Sequence, residues 1–254
     1  MNYFQKNKSR KDLIIGIHAV EEAIMSGHTL RKVFFQRDIN NEKSREMLKL
    51  LKENHIPVHF VPLEKLNGLS KANHQGIIAL SSPIDFADIR NIIPSLFESG
   101  KSPFIVVLDS VTDVRNFGSI VRSACFLGVD AIMISSKGSA DINEETIKTS
   151  AGALLKMDIC METDLVKGIH YLKSSGLQII GAKEKSEHEA AKADFTLPTA
   201  LVLGSESTGI NPEIMRYVDT LVSIPMSGEF DSLNVAVAAG ILFYEAMEQR
   251  KILS

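Results

Sequence analysis

Five polar side chains stand where apolar, strand-like runs of this 254-residue chain give way to loops of small residues. Asn116 and Arg122 follow the run FIVVLD at 104–109, and Glu206 lies inside LVLGSESTG at 201–209. Ser232 and Asn234 flank Leu233 in IPMSGEFDSLNVAVAAG, at the junction between a last strand and a helix almost free of charge. Amide, hydroxyl, carboxylate and guanidinium groups collected at strand ends can align a substrate, stabilise a developing negative charge and manage a proton. The small residues around them let a backbone or a ligand approach closely, and two rigid elements at each junction can fix the geometry.

Each residue also has a plainer explanation. Asn116 can be a helix N-cap with Arg122 on the helix surface, Glu206 a surface-loop carboxylate, and capping by itself accounts for one of Ser232 and Asn234. Their company argues for more, because ligands collect at the carboxyl ends of strands in open α/β sheets. Asn116, Ser119 and Arg122 form a polar stripe on one helix face. Leu233 can cover a flat apolar ligand while its neighbours face the reacting group. The stretch AVAAG after Val235 permits close helix packing, within the subunit or across a dimer.

The elements that must position these groups follow from hydrophobic periodicity. A short helix in GIHAVEEAIMSG, a strand at 31–36, a helix at 42–54, a strand at 57–61 and a strand at 76–81 make a compact α/β unit. Residues 83–103 hold three prolines and a helix candidate around 89–97, so 84–102 reads as a linker. Beyond it come strand 104–109, helix 116–127, strand 130–135, a helix near 143–153, helix 163–174, strand 177–181, strand 200–204, helix 212–218, strand 220–225 and helix 233–250. This alternation predicts an α/β fold, a mostly parallel sheet with helices on both faces. Asn211-Pro212-Glu213 supplies an N-cap, a first-turn proline and an early acid. No G-x-G-x-x-G follows the first strand of this second domain, so an ordinary dinucleotide crevice is not indicated.

Composition narrows the class further. With 44% hydrophobic residues the chain can bury a proper core. No run reaches the ~18 apolar residues of a membrane helix, and MNYFQKNKSRKD lacks the apolar centre of a signal peptide, so a cytoplasmic protein is expected. Cys125 and Cys160 have no metal-ligand spacing, and Pro57 breaks the helical spacing of His55 and His59, so no metal site is expected. The net charge of −3 hides an asymmetry: residues 1–83 carry 13 Lys and Arg against 8 Asp and Glu. A basic first module, preceded by a basic flexible tail at 1–12, suggests a polyanionic partner.

Three ordered stretches, LDSVTDVRNFGSIVRSA (108–124), LVLGSESTGI (201–210) and SIPMSGEFDSLNVAVAAG (223–240), together resemble the signature of the SpoU, or TrmH-like, RNA ribose 2'-O-methyltransferases of the SPOUT class. INEETIKTSAGAL (142–154) is similar to the family's intervening loop, and GIHAVEEAI with NHQGIIAL resembles the L30e-like domain of its rRNA-modifying members. The resemblance implies an RNA substrate-binding domain at 13–83 and a catalytic domain at 103–254 with a deep trefoil knot. It also implies S-adenosylmethionine as cofactor and a homodimer with the active site at its interface. Gly204, Ile224 and Leu233 would bind the cofactor, and Asn116, Arg122, Glu206, Ser232 and Asn234 would form the catalytic set. Val114 stands where proline is frequent, Phe117 where leucine is common and Ala236 where serine often follows, and none of these removes a polar group assigned to chemistry.

The family gives Arg122 a catalytic role, often as proton acceptor. A guanidinium stays protonated near neutrality, so a cation holding the adjoining phosphate and stabilising an alkoxide is the preferred reading, with the base left open. The expected substrate is a guanosine ribose of 23S ribosomal RNA, with transfer RNA second. His74 and Gln75 either read a base edge or close a turn. Two other classes stay open: an RNA-binding ribosome assembly factor without turnover, and a nucleotide-dependent oxidoreductase.

Overall fold

The computed structural model describes residues 12–39, 41–225 and 232–251. Most of the tail expected at 1–12, and the centre of the loop between Pro225 and Ser232, lie outside the described residues. The chain divides into two compact units, 1–83 and 84–254.

The first unit runs β1 (Leu13–Ile15), α1 (Ile17–Met25), β2 (Leu30–Gln36), α2 (Glu42–Glu53), β3 (Val58–Val61), α3 (Leu63–Leu69) and β4 (Ile77–Ser81). Its sheet has the order β1-β4-β2-β3, with β2 and β3 parallel and the other pairs antiparallel. Side chains alternate across it: Val33, Phe35, Ile77 and Ala79 pack with α1 and α2, whereas Ile78 packs with Leu66 of α3. Asn41 caps α2 by accepting a hydrogen bond from the Ser44 N–H at 2.8 Å. His55 stands in a left-handed turn and His59 on β3, which separates the pair as Pro57 suggests.

The second unit begins earlier than expected. Residues 84–102 are no bare linker: they carry α4 (Ile89–Glu98), capped by Asp88, with Ile89 and Ile93 buried against the second sheet. Ala87 also bridges Cys160 in that sheet. Then follow β5 (Phe104–Leu108), α5 (Val114–Phe126), β6 (Ala131–Ser135), α6 (Glu144–Thr149), β7 (Asp158–Glu162), α7 (Leu165–Ser174), β8 (Gln178–Ala182), β9 (His188–Glu189), β10 (Thr199–Leu203), α8 (Pro212–Met215), β11 (Thr220–Ser223) and α9 (Val235–Lys251). The strand order is β7-β6-β5-β10-β8-β11-β9, and every pairing is parallel.

Both faces of this sheet are covered, as a parallel sheet requires. Val106, Leu108, Ile132, Leu201 and Leu203 meet α5 and α9 on one face. Ile105, Val107, Met133, Ala200 and Val202 meet α4, α7 and α8 on the other. Each such aliphatic side chain stabilises the fold by about 1.5–3 kcal/mol when fully buried. Within the AVAAG stretch Ala239 is buried in the subunit's own core, whereas Val237 is exposed. Among the described residues no helix is long and apolar enough to cross a membrane.

Candidate active site

β5 and β10 lie side by side, and the chain leaves β5 for β6 on one side while β10 meets β8 on the other. Loops diverge at this point of an open sheet and leave a crevice beyond the strand ends. Four of the five polar residues singled out above, Asn116, Glu206, Ser232 and Asn234, stand on the loops and helix starts around it.

Glu206 is held at the tip of a tight turn. The Gly209 N–H donates to the Ser205 carbonyl at 2.9 Å, the Thr208 N–H donates to Ser205 Oγ at 3.1 Å, and Gly209 takes φ +66°. Gly204 before it touches backbone directly: a Cβ there would stand 2.2 Å from Gly209 C. Only glycine allows that closure.

From this turn Glu206 Oε1 accepts three N–H groups. Asn234 Nδ2 donates at 2.6 Å, the Val235 backbone N–H at 3.1 Å and Asn116 Nδ2 at 3.3 Å. Asn234 Nδ2 also donates to Asn116 Oδ1 at 3.1 Å. Residues separated by up to 118 positions thereby close one triangle. Asn234 is a cap as well, its Oδ1 accepting from the Ala236 N–H at 3.0 Å. Asn116 is not: Asp113 caps α5 by accepting from the N–H groups of Arg115 and Asn116, so the Asn116 amide is left for the triangle.

Arg122 and Ser232 are brought less close. Arg122 is exposed two turns along α5 and makes no hydrogen bond or ion pair among the described residues. Ser232 is exposed on the wall of a cavity of about 600 Å³ beside the triangle. That cavity is lined by the Gly204–Ile210 loop, by Ile224 and Leu233, and by Val235, Ala238 and Leu242 of α9. Its size lies within the 300–1,000 Å³ of small-molecule sites, and its mostly apolar wall with a few polar groups has their usual make-up.

Sequence reasoning missed Asp109, 7% exposed, whose Oδ2 accepts the Asn211 N–H at 2.6 Å and so ties the end of β5 to the loop after β10. It also missed Ala182, Lys183 and Glu184, which line the cavity after β8. The signal for these is topological: β8 neighbours β10, so its carboxyl end meets the same crevice. Cys160 is buried, and desolvation, joined by the nearby carboxylates, pushes its thiol up to about 12, so it is chemically inert. Among the described residues no cluster of three or more His, Cys, Asp or Glu side chains is disposed to hold a metal ion.

A family model described as the SpoU rRNA methylase family matches residues 103–244, and one described as RNA 2'-O ribose methyltransferase substrate binding matches residues 13–87. The chain belongs to the SpoU rRNA methylase family, whose members are RNA methyltransferases. A Staphylococcus saprophyticus protein named as a member of the TrmH family of tRNA/rRNA methyltransferases is 34% identical over 241 residues, covering 95% of this chain and 97% of its own. The A. aeolicus TrmH/SpoU tRNA modifying enzyme is 32% identical, with a TM-score of 0.54 over 65% of this chain and 85% of that one. The SpoU methyltransferase AviRb from Streptomyces viridochromogenes, solved in complex with AdoMet, shares the fold at 24% identity, with a TM-score of 0.60 over 98% of this chain and 95% of that one. The methyl donor of the family is S-adenosylmethionine. The cavity fits such a group, with apolar Ile224 and Leu233 for a flat base and, at Gly204, a backbone bare enough for close contact.

Proposed function

We propose that this protein methylates a ribose 2'-hydroxyl of RNA, that the target is a guanosine of 23S ribosomal RNA, and that it works in the cytoplasm. The observation that carries the reading is the Asn116–Glu206–Asn234 triangle on the rim of a ligand-sized cavity. Ribosomal RNA is favoured over transfer RNA because the likeness to two-domain rRNA members extends over nearly the whole chain.

S-adenosylmethionine supplies an electrophilic methyl group when bound. Gly204, Ile224 and Leu233 hold it through backbone groups and apolar contact, inside the trefoil knot that the family resemblance implies. Glu206 and Asn234 hold Asn116 rigidly, so that its remaining amide N–H meets the substrate without reorganising, while the Asn234 amide is spent on Glu206, Asn116 and the α9 cap. Ser232 stands on the adjoining wall to orient the ribose. Arg122 holds the neighbouring phosphate and stabilises the negative charge that builds on the 2'-oxygen, whose proton passes to water because no side chain of the set is assigned as base. Alignment of this kind supplies about 7–11 kcal/mol of the barrier.

A homodimer completes the site. Val237, Ile241 and Tyr244 of α9 are 51%, 42% and 54% exposed, and Phe126 of α5, the helix packed on α9, is 76% exposed. Positions 237, 241 and 244 share one helix face, so α9 is apolar outward as well as inward, which a second subunit would cover. The first unit, matched by the substrate-binding model, grips structured RNA through phosphates and 2'-hydroxyls.

Mapping 2'-O-methyl positions in ribosomal and transfer RNA from cells with and without the gene tests the reading. One missing mark, at a guanosine of 23S RNA, is the expected result. An unchanged map refutes it.

A further inference from the structure

The first unit holds its own cavity, of about 630 Å³, where the start of α1, the end of β2, the start of α2 and the turn before β4 converge. Its lining is rich in neutral amides: Gln36, Asn41, Asn73 and Gln75. Ile17, Ile39 and Leu63 supply apolar surface among them, and Leu63 is 42% exposed.

The turn that presents these groups is held in an unfavourable conformation. Gln75 takes φ +48°, which non-glycine residues rarely adopt, and its Oε1 accepts the Ile17 N–H at 3.3 Å. Such positions gather at ligand sites, where surrounding structure fixes them. His74 is the fixing group. It is 7% exposed, its Nδ1 accepts the Gly76 N–H at 3.1 Å, and its Nε2 lies 3.1 Å from Asn67 Oδ1. Both ring nitrogens are engaged, so His74 closes the turn. Gly76, at φ +83°, packs so tightly that a Cβ would stand 2.8 Å from Ile39 Cδ1 and 3.2 Å from Gln36 Oε1. The Gln36 amide and Gln75 Nε2 have no hydrogen-bond partner among the described residues.

We infer that this pocket receives one unpaired RNA base and reads its hydrogen-bonding edge with the amides of Gln36 and Gln75. The inference rests on the RNA reading above. Amides offer adjacent donors and acceptors, which match the edge of a base rather than a charge. A phosphate seat would need net positive charge, yet Lys43 stands beside Glu42 in the same lining. Bases in a duplex are shielded from such contacts, so the ligand is a base in a loop, bulge or end.

The test uses the full chain saturated with S-adenosylhomocysteine, so that the second unit's cavity is filled. Tetranucleotides UUXU, with X each of the four bases, are titrated while the methyl resonances of Ile17, Ile39 and Leu63 are followed. Shifts at these methyls, with one base preferred by about fivefold, are expected. Gln36→Leu should abolish the preference and Lys43→Gln should keep it, with other methyl resonances unmoved. Gln75→Asn, which suits the left-handed turn, should also weaken it. Absence of shifts, or shifts equal for every base and lost in Lys43→Gln, would overturn the inference. A wild-type chain that keeps the base preference but leaves 2'-hydroxyls unmethylated would sink the catalytic reading and support this one.

Discussion

Glu206, on the turn after β10, and Asn234, at the start of α9, share a 2.6 Å hydrogen bond across the crevice. Because Oε1 of Glu206 also accepts from Asn116 and from the Val235 backbone, one carboxylate oxygen joins α5, α9 and the Gly204–Ile210 loop. Catalysis in this account depends on that rigidity.

Glu206→Gln keeps the shape but removes the charge that three donors share. It should lower stability by only about 1 kcal/mol, since the site is exposed. Turnover should fall on the order of 10²-fold, the cost of misplacing aligned groups. Thermal denaturation beside steady-state methylation measures both.

Gly204→Ala places a methyl group against the backbone of Gly209 and Ile210, where its nearest contacts would be 2.2 to 2.4 Å. The turn must open. Affinity for S-adenosylmethionine, measured by calorimetry, should drop by about tenfold or more, with a stability loss of about 1–3 kcal/mol.

Arg122→Lys should leave stability within about 0.5 kcal/mol, since Arg122 has no partner among the described residues. RNA binding should fall less than turnover, because a lysine keeps the charge and loses the planar fork. Methylation at the wild-type rate would remove Arg122 from the catalytic set.

Val237→Glu or Ile241→Glu, on the exposed face of α9, should shift sedimentation from dimer toward monomer and abolish methylation while leaving each subunit folded. A wild-type chain that sediments as a monomer throughout would refute the shared site.

Asp219 gives the fold a pH dependence far from the crevice. Burial opposes its charge most strongly, but the hydrogen bond from Lys173 at 2.5 Å, the Ile179 N–H and the Lys173 charge outweigh it, so its carboxyl sits below the ordinary value. A lowered folded-state value stabilises the native chain above the usual carboxylate titration, near pH 3.9, and the gain is lost as pH falls through the lower value. Asp219→Asn should therefore cost stability at pH 7 and cost none in strong acid, a difference that urea denaturation at several pH values resolves.

The parallel sheet was legible because β5, β8, β10 and β11 are short apolar runs separated by helical periodicity. β7 was not, being an edge strand whose DICME carries an acid at each end and little apolar contrast. α4 was visible as a helix candidate, but Pro94 within it and Pro83 and Pro103 around it mimicked a linker, and the contacts of Ile89 and Ile93 with the sheet, with the Ala87–Cys160 bridge, place it in the second unit. Asn116, Glu206 and Asn234 stood out by type and company. That they share hydrogen bonds depends on β10 lying beside β5, a pairing between residues about a hundred positions apart that no local pattern encodes. Asp109 escaped notice because it ends an apolar run and reads as a strand terminus.

The most direct test is to place a trideuterated methyl group on RNA. The purified chain is given trideuteromethyl S-adenosylmethionine and unmodified ribosomal RNA, and the product is cleaved by alkali and analysed by mass spectrometry. Label in a guanosine ribose, seen as one alkali-resistant linkage, is the expected result. Label on a base, with every linkage alkali-labile, would contradict it.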